Sequence, residues 1–130
     1  MRDVRRRRVW DRDLAAGRRG EDLAHRFLRR QGFIIVARNY RLSSGEAEAD
    51  LIAREGEDLV IVEVKTRGSG EYGAPERAVN PEKQRHLIRV AREYARKTET
   101  PWEQVRFDVV SIVMDEPPTI TLLRGAFRTQ

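Results

Sequence analysis

The chain has 130 residues, 39% of them hydrophobic and 36% charged, with two His and no Cys. That length supports one domain with its own core, and the lack of Cys excludes disulfides, thiolate zinc sites and a Cys nucleophile. The longest charge-free stretches are seven residues, 31–37 and 117–123, too short for a transmembrane helix or a signal-peptide core, so no membrane partner and a reducing, cytoplasmic setting are expected.

The formal net charge is +5. It is concentrated at one end: residues 1–20 hold eight Arg and three Asp, and the remaining 110 carry 18 basic and 18 acidic side chains. Residues 1–16 therefore read as a flexible basic arm. It is either a solubilising leader or an extension that meets nucleic-acid phosphates. Residues 17–130 read as a single folded unit.

Ala15 to Gln31 has helical periodicity. Leu23, Ala24, Phe27 and Leu28 share one face, and Arg19, Arg26, Arg29 and Arg30 share the other. Gly32 ends the helix. Phe33 to Tyr40, Glu48 to Arg54 and Leu59 to Thr66 read as strands, the last two joined by the hairpin loop 55–58. A polar Gly-containing loop, 68–81, leads to a second helix, Glu82 to Lys97. On that helix Leu87, Ile88, Val90, Ala91, Tyr94 and Ala95 oppose a row of Arg85, Arg89, Arg92 and Arg96. The row is either a solvated face or a phosphate-facing surface. Val105 to Val113 and Thr119 to Arg124 are the closing strands. The order predicts an α/β fold with a mixed central sheet flanked by helices.

Side chains alternate along a strand, which puts Glu48, Asp50 and Ile52 on one face, and Leu59, Ile61, Glu63 and Lys65 on one face of the next strand. With Arg54 paired to Leu59, Asp50 falls opposite Glu63 and Glu48 opposite Lys65. Leu59 to Val62 is apolar on both faces, the mark of a covered central strand. Two carboxylates about 5 Å apart repel by roughly 3 kcal/mol at an effective dielectric near 20. A divalent cation offsets that repulsion, and Mg²⁺ is commonly held by one or two carboxylates plus phosphate oxygens. The pattern suggests metal-dependent phosphodiester cleavage, with Asp50 and Glu63 on Mg²⁺ (or Mn²⁺) and Lys65 acting on water or phosphate. A cross-strand salt-bridge ladder without chemistry is the competing reading. Glu21, at the edge of the first helix's apolar arc, is a further candidate.

Gly17-Arg18-Arg19-Gly20-Glu21, Glu48-Ala49-Asp50-Leu51-Ile52-Ala53, Val62-Glu63-Val64-Lys65-Thr66-Arg67, Lys83-Gln84-Arg85 and Arg106-Phe107-Asp108-Val109-Val110 resemble, in order, the motifs of the YraN family of small bacterial proteins. That family is similar to archaeal Holliday-junction resolvases and to nucleases with a restriction-endonuclease-like core. The resemblance covers some 110 residues. It implies that Asp50 and Glu63 bind metal, that Lys65 is catalytic and that Glu21 completes the acidic site. It also implies a restriction-endonuclease-like core, often as a homodimer, but no known substrate; the leading reading is a nuclease acting on DNA, with a branched or otherwise non-standard structure as the expected target. A repair or recombination protein is a further possible partner. One departure stands: in Gly45-Glu46-Ala47-Glu48-Ala49-Asp50 either Glu46 or Glu48 takes the place of the family's Glu. Arg18, Arg19, Arg67, Arg85, Arg89 and Arg92 are the expected nucleic-acid contacts, with Glu48 and Gln84 in support. Asp108 is either a further support or a structural Asp. The alternative to a nuclease is a non-catalytic nucleic-acid-binding module, or an interaction protein, that keeps the fold.

Overall fold

The structure is a computed structural model that describes residues 17–74 and 79–129. The basic arm at 1–16 and part of the 68–81 loop lie outside the described residues. Helix α1 covers residues 17–30 of these. Strands β1 (Ile34–Arg41), β2 (Glu48–Glu55) and β3 (Asp58–Arg67) follow, then helix α2 (Pro81–Lys97), β4 (Val105–Val113) and β5 (Thr119–Leu123). Every element expected from periodicity is present, and no described end is shifted by more than one residue.

The five strands form one mixed sheet in the order β1-β2-β3-β4-β5. All neighbours are antiparallel except β3 and β4. A parallel neighbour needs a crossover, and α2 is part of that connection. The hairpin between β2 and β3 is tighter than expected. Glu55 pairs with Asp58, leaving Gly56 and Glu57 as a two-residue turn in which Gly56 has φ +59°, a conformation glycine adopts without strain.

Each face of the sheet has its own core. Leu87, Val90, Ala91 and Ala95 of α2 pack with Ile52, Leu59, Ile61, Phe107 and Val109. Ala24 and Leu28 of α1 pack with Leu51, Ala53, Val60, Val62, Val110 and Ile112 on the other side. This is a helix–sheet–helix sandwich, and it accounts for β3 being apolar on both faces. Helix α2 begins at Asn80, whose side chain accepts the Lys83 N–H at 2.8 Å, followed by Pro81 at the first helical position. Both are standard start signals, and they set the rotation of the first turn.

Helix α1 meets the sheet through Gly20. A Cβ there would lie 2.0 Å from Thr66 Oγ1. Only glycine lets the helix come this close to β3, beside Lys65.

The end of the sheet nearest the hairpin is tied by Arg106. Its guanidinium donates to both oxygens of Asp108 at 2.9 Å, to Asp58 at 2.9 Å and to Glu55 at 2.7 Å. Arg124 adds a two-pronged bond to Glu55, and Gly125 N–H donates to Asp108. Asp108 is buried, and this network makes it a structural residue.

Candidate active site

Asp50 and Glu63 come together as the register requires, by way of a break in the ladder. Arg54 pairs with Leu59 as expected, and the pairing continues to Leu51 with Val62. One residue further, the Asp50 side chain replaces the backbone: its Oδ2 accepts the Val64 N–H at 2.7 Å. The strands part here, and the Glu63 carboxyl turns towards Asp50. Its side chain is only 13% exposed, and Oε2 is a buried oxygen whose contact is the Lys83 ammonium. Burial first, and the Asp50 carboxyl second, push the Glu63 pKa up to about 8, against the pull of Lys83. Like charges forced together out of water disfavour ionisation of one of them.

The nearest cation is Lys83, whose Nζ stands 3.3 Å from Glu63 Oε2. Lys65, by contrast, is exposed and makes no ion pair with a described carboxylate. By strand alternation it shares the Glu63 face, one repeat further on. The expected patch of three carboxylates and one ammonium is therefore not assembled as drawn, and α2 supplies a cation the strand pattern did not reveal. The motif Lys83-Gln84-Arg85 was visible in the sequence, but the reach of Lys83 across the sheet was not. Gln84 turns away and donates to the Val79 carbonyl at 3.1 Å.

Glu48 does not share a face with Asp50 and Ile52. Ala49 packs in the same core as Ile52, whereas Leu51 and Ala53 pack in the other. Strict alternation cannot place residues 49 and 52 on one side, so the strand rotates at Asp50. On β1 the residue between Arg38 and Tyr40 is Asn39, with φ +50°. Asn tolerates this left-handed conformation better than most residues. The rotation brings Glu48 to Glu21. The Asn39 amide nitrogen lies 3.1 Å from Glu21 Oε1 and 3.2 Å from Glu48 Oε1, an orientation assigned from the hydrogen bonding. Arg38 stands 3.6 Å from Glu21, and Arg41 3.2 Å from Glu48. The acidic residues thus form two pairs, Asp50 with Glu63 and Glu21 with Glu48. Among the described residues no group of three or more His, Asp or Glu side chains is placed to hold one ion.

The Arg row on α2 is partly engaged. Arg89 pairs with Glu46 at 2.6 Å, and Arg92 lies over the Trp102 ring, 5.4 Å from its centroid. Arg85 is exposed without a described carboxylate partner. Arg67 packs beneath Gly73, in a loop held by Asp115 through Ser69, Gly70 and Tyr72. Arg18 and Arg19 are exposed on the first turn of α1.

A family model described as the uncharacterised protein family UPF0102 matches residues 20–112. The chain belongs to UPF0102, the YraN family. The match runs from Gly20 into β4 and includes Glu21, Asp50, Glu63, Lys65 and Lys83. A UPF0102 protein of Solibacter usitatus is 52% identical over 111 residues, 85% of this chain and 84% of the relative. One from Rhodococcus opacus is 47% identical over 117 residues, covering 88% and 98%. One from Koribacter versatilis is 45% identical over 117 residues, covering 88% and 80%. None of these UPF0102 names states an activity. Among the described residues no helix is long and apolar enough to cross a membrane.

Proposed function

We propose that this UPF0102 protein is a divalent-metal-dependent nuclease acting on DNA, with branched or otherwise structured DNA as its target. The observation that carries the reading is the Asp50–Glu63 pair. Two carboxyl groups are held together at the parting of β2 and β3, with Glu63 largely buried and the Lys83 ammonium 3.3 Å from its Oε2. Holding two carboxyl groups side by side out of water is unfavourable for their ionised forms, and a divalent cation between them relieves it. The donor set suits Mg²⁺ or Mn²⁺, which take hard oxygen ligands and share the rest of their coordination with water and substrate phosphate.

Asp50 and Glu63 would hold the cation, which when bound supplies Lewis-acid polarisation of a phosphodiester. Asp50 is pre-set for this by the Val64 N–H, which fixes one carboxylate oxygen and leaves the other available. Lys65 would meet the scissile phosphate, where a free ammonium stabilises charge that builds up in the transition state. Lys83 would hold Glu63 in place while the cation is absent. Glu21 and Glu48, bridged by Asn39, would orient the neighbouring strand end rather than ligate the same ion. A restriction-endonuclease-like core, with the site on a β2–β3 hairpin flanked by helices, is part of this reading. So is a homodimer cutting two strands.

The second reading, a binding module without chemistry, is favoured by one contact. Lys83 already gives Glu63 a cation at 3.3 Å, so the pair is partly neutralised within the protein. Cleavage of labelled four-way-junction, flap, single-stranded and duplex DNA by wild type and Lys65→Ala, with Mg²⁺, Mn²⁺ or EDTA, separates the two. Metal-dependent products lost in Lys65→Ala support the nuclease. Binding without products in any metal supports the module.

A further inference from the structure

Helix α1 divides its surface sharply. Gly20, Ala24 and Leu28 are buried. At about 100° per residue they define an arc whose opposite side carries Arg18, Arg19, Arg26, Arg29 and Arg30 within about 120°. All five are exposed, and none pairs with a described carboxylate. The one acid in that arc, Asp22, is taken by Arg38 of β1 at 2.8 Å. A shallow depression of about 470 Å³, lined by Arg18, Arg19, Asp22, Leu23 and Arg26, opens on this side.

We infer that this outer face of α1 is the docking surface for the sugar–phosphate backbone of duplex DNA. It deepens the nuclease reading, on which it rests for the identity of the polymer. Arg18 to Arg30 span about 18 Å along the helix axis, and duplex DNA presents a negative charge about every 1.7 Å. The face is therefore a straight cationic rod set against a dense anionic one. Other partners fit less well. A helix that lies on a membrane needs its apolar face free to insert, but here that face is buried in the sheet core. A protein partner is normally gripped by aromatic anchors, and the arc has none. The α2 row is a weaker candidate, because Arg89 and Arg92 are already occupied by Glu46 and Trp102.

The test is the binding of full-length protein to a labelled 20-base-pair duplex in EDTA, by fluorescence anisotropy over a range of salt. The variants are Arg26→Ala/Arg29→Ala/Arg30→Ala on α1 and Arg85→Ala/Arg96→Ala on α2. Alanine is the best helix former, and thermal melts confirm folding. The expected result is a log Kd against log salt slope smaller by about 2 to 3 for the α1 triple variant, with the α2 variant close to wild type. Equal binding by the triple variant and wild type overturns the inference. So does the absence of duplex binding in wild type, or tighter wild-type binding to phosphatidylserine vesicles than to duplex. The readout needs no cleavage. Normal α1-dependent binding with no products in Mg²⁺ sinks the nuclease reading alone, and cleavage with unaltered binding by the triple variant sinks this inference alone.

Discussion

The Lys83 ammonium stands 3.3 Å from the buried Glu63 Oε2, and it does so from the first turn of α2. A cation at a helix N-terminus opposes the helix dipole. Here the Asn80 cap accepts the Lys83 N–H, and the side chain is directed at a carboxyl whose own ionisation is suppressed. The contact holds α2, β3 and the acidic pair together.

Glu63 makes stability fall as pH rises. Its folded pKa is raised from 4.5 to about 8, so between those values the folded protein holds a proton that the unfolded chain releases. By linkage, the stabilising term is full below the lower value and is lost on approach to the upper one. Glu63→Gln removes the ionisation. In EDTA it should be more stable than wild type at pH 8.5, by an amount on the order of a few kcal/mol, with the gap closing at pH 4.5. Thermal melts across that range check it. A gap independent of pH refutes the assignment.

Metal binding should register as stability before any assay of cleavage. Excess Mg²⁺ or Mn²⁺ at 100 times its dissociation constant stabilises a folded protein by about 2.7 kcal/mol, a shift of several degrees in melting temperature. Asp50→Asn/Glu63→Gln should abolish the shift. Calorimetry and melting in matched ionic strength distinguish a specific ion from salt. A shift that survives the double substitution places the ion elsewhere.

Gly20→Ala should destabilise the protein by about 1–3 kcal/mol. The new methyl group meets Thr66 Oγ1 at the point where α1 rests on β3. Thr66→Ala in the same chain removes the nearest clashing atom and should recover part of the loss. A double-mutant cycle from denaturant unfolding gives the coupling, and additive losses would show that the contact is not the cause.

Arg106→Ala should cost about 3–5 kcal/mol, because it strands the buried Asp108 without its guanidinium. Arg106 lies near the hairpin, away from Lys65. Below its melting temperature the variant should therefore bind duplex DNA as wild type does.

Much of this arrangement was legible in the sequence. The two-sided apolar run of Leu59 to Val62 identified a central strand, and turn chemistry set the register of Arg54 with Leu59 and so the meeting of Asp50 and Glu63. Three features escaped. Lys83 lies twenty residues from Glu63, and its reach depends on how the crossover helix is docked. The rotation at Asp50 breaks the period-two rule; Asn39 was its one local sign, since Asn is among the few residues at ease in a left-handed conformation. The pairing of Arg89 with Glu46 joins a helix to a loop, and no local pattern encodes it.

The β2–β3 hairpin is bound at one end and parted at the other. Arg106 ties Glu55, Asp58 and Asp108 beside the turn, while the opposite end opens after the Leu51–Val62 pair. The hairpin works as a clamped fork whose two tines carry Asp50 and Glu63. Spreading of the tines is resisted at the handle by these charges and at the tips by the Asp50 carboxylate, which accepts the Val64 N–H. The acidic pair therefore sits on a frame braced at both ends, where an ion would meet carboxyl groups already fixed in place.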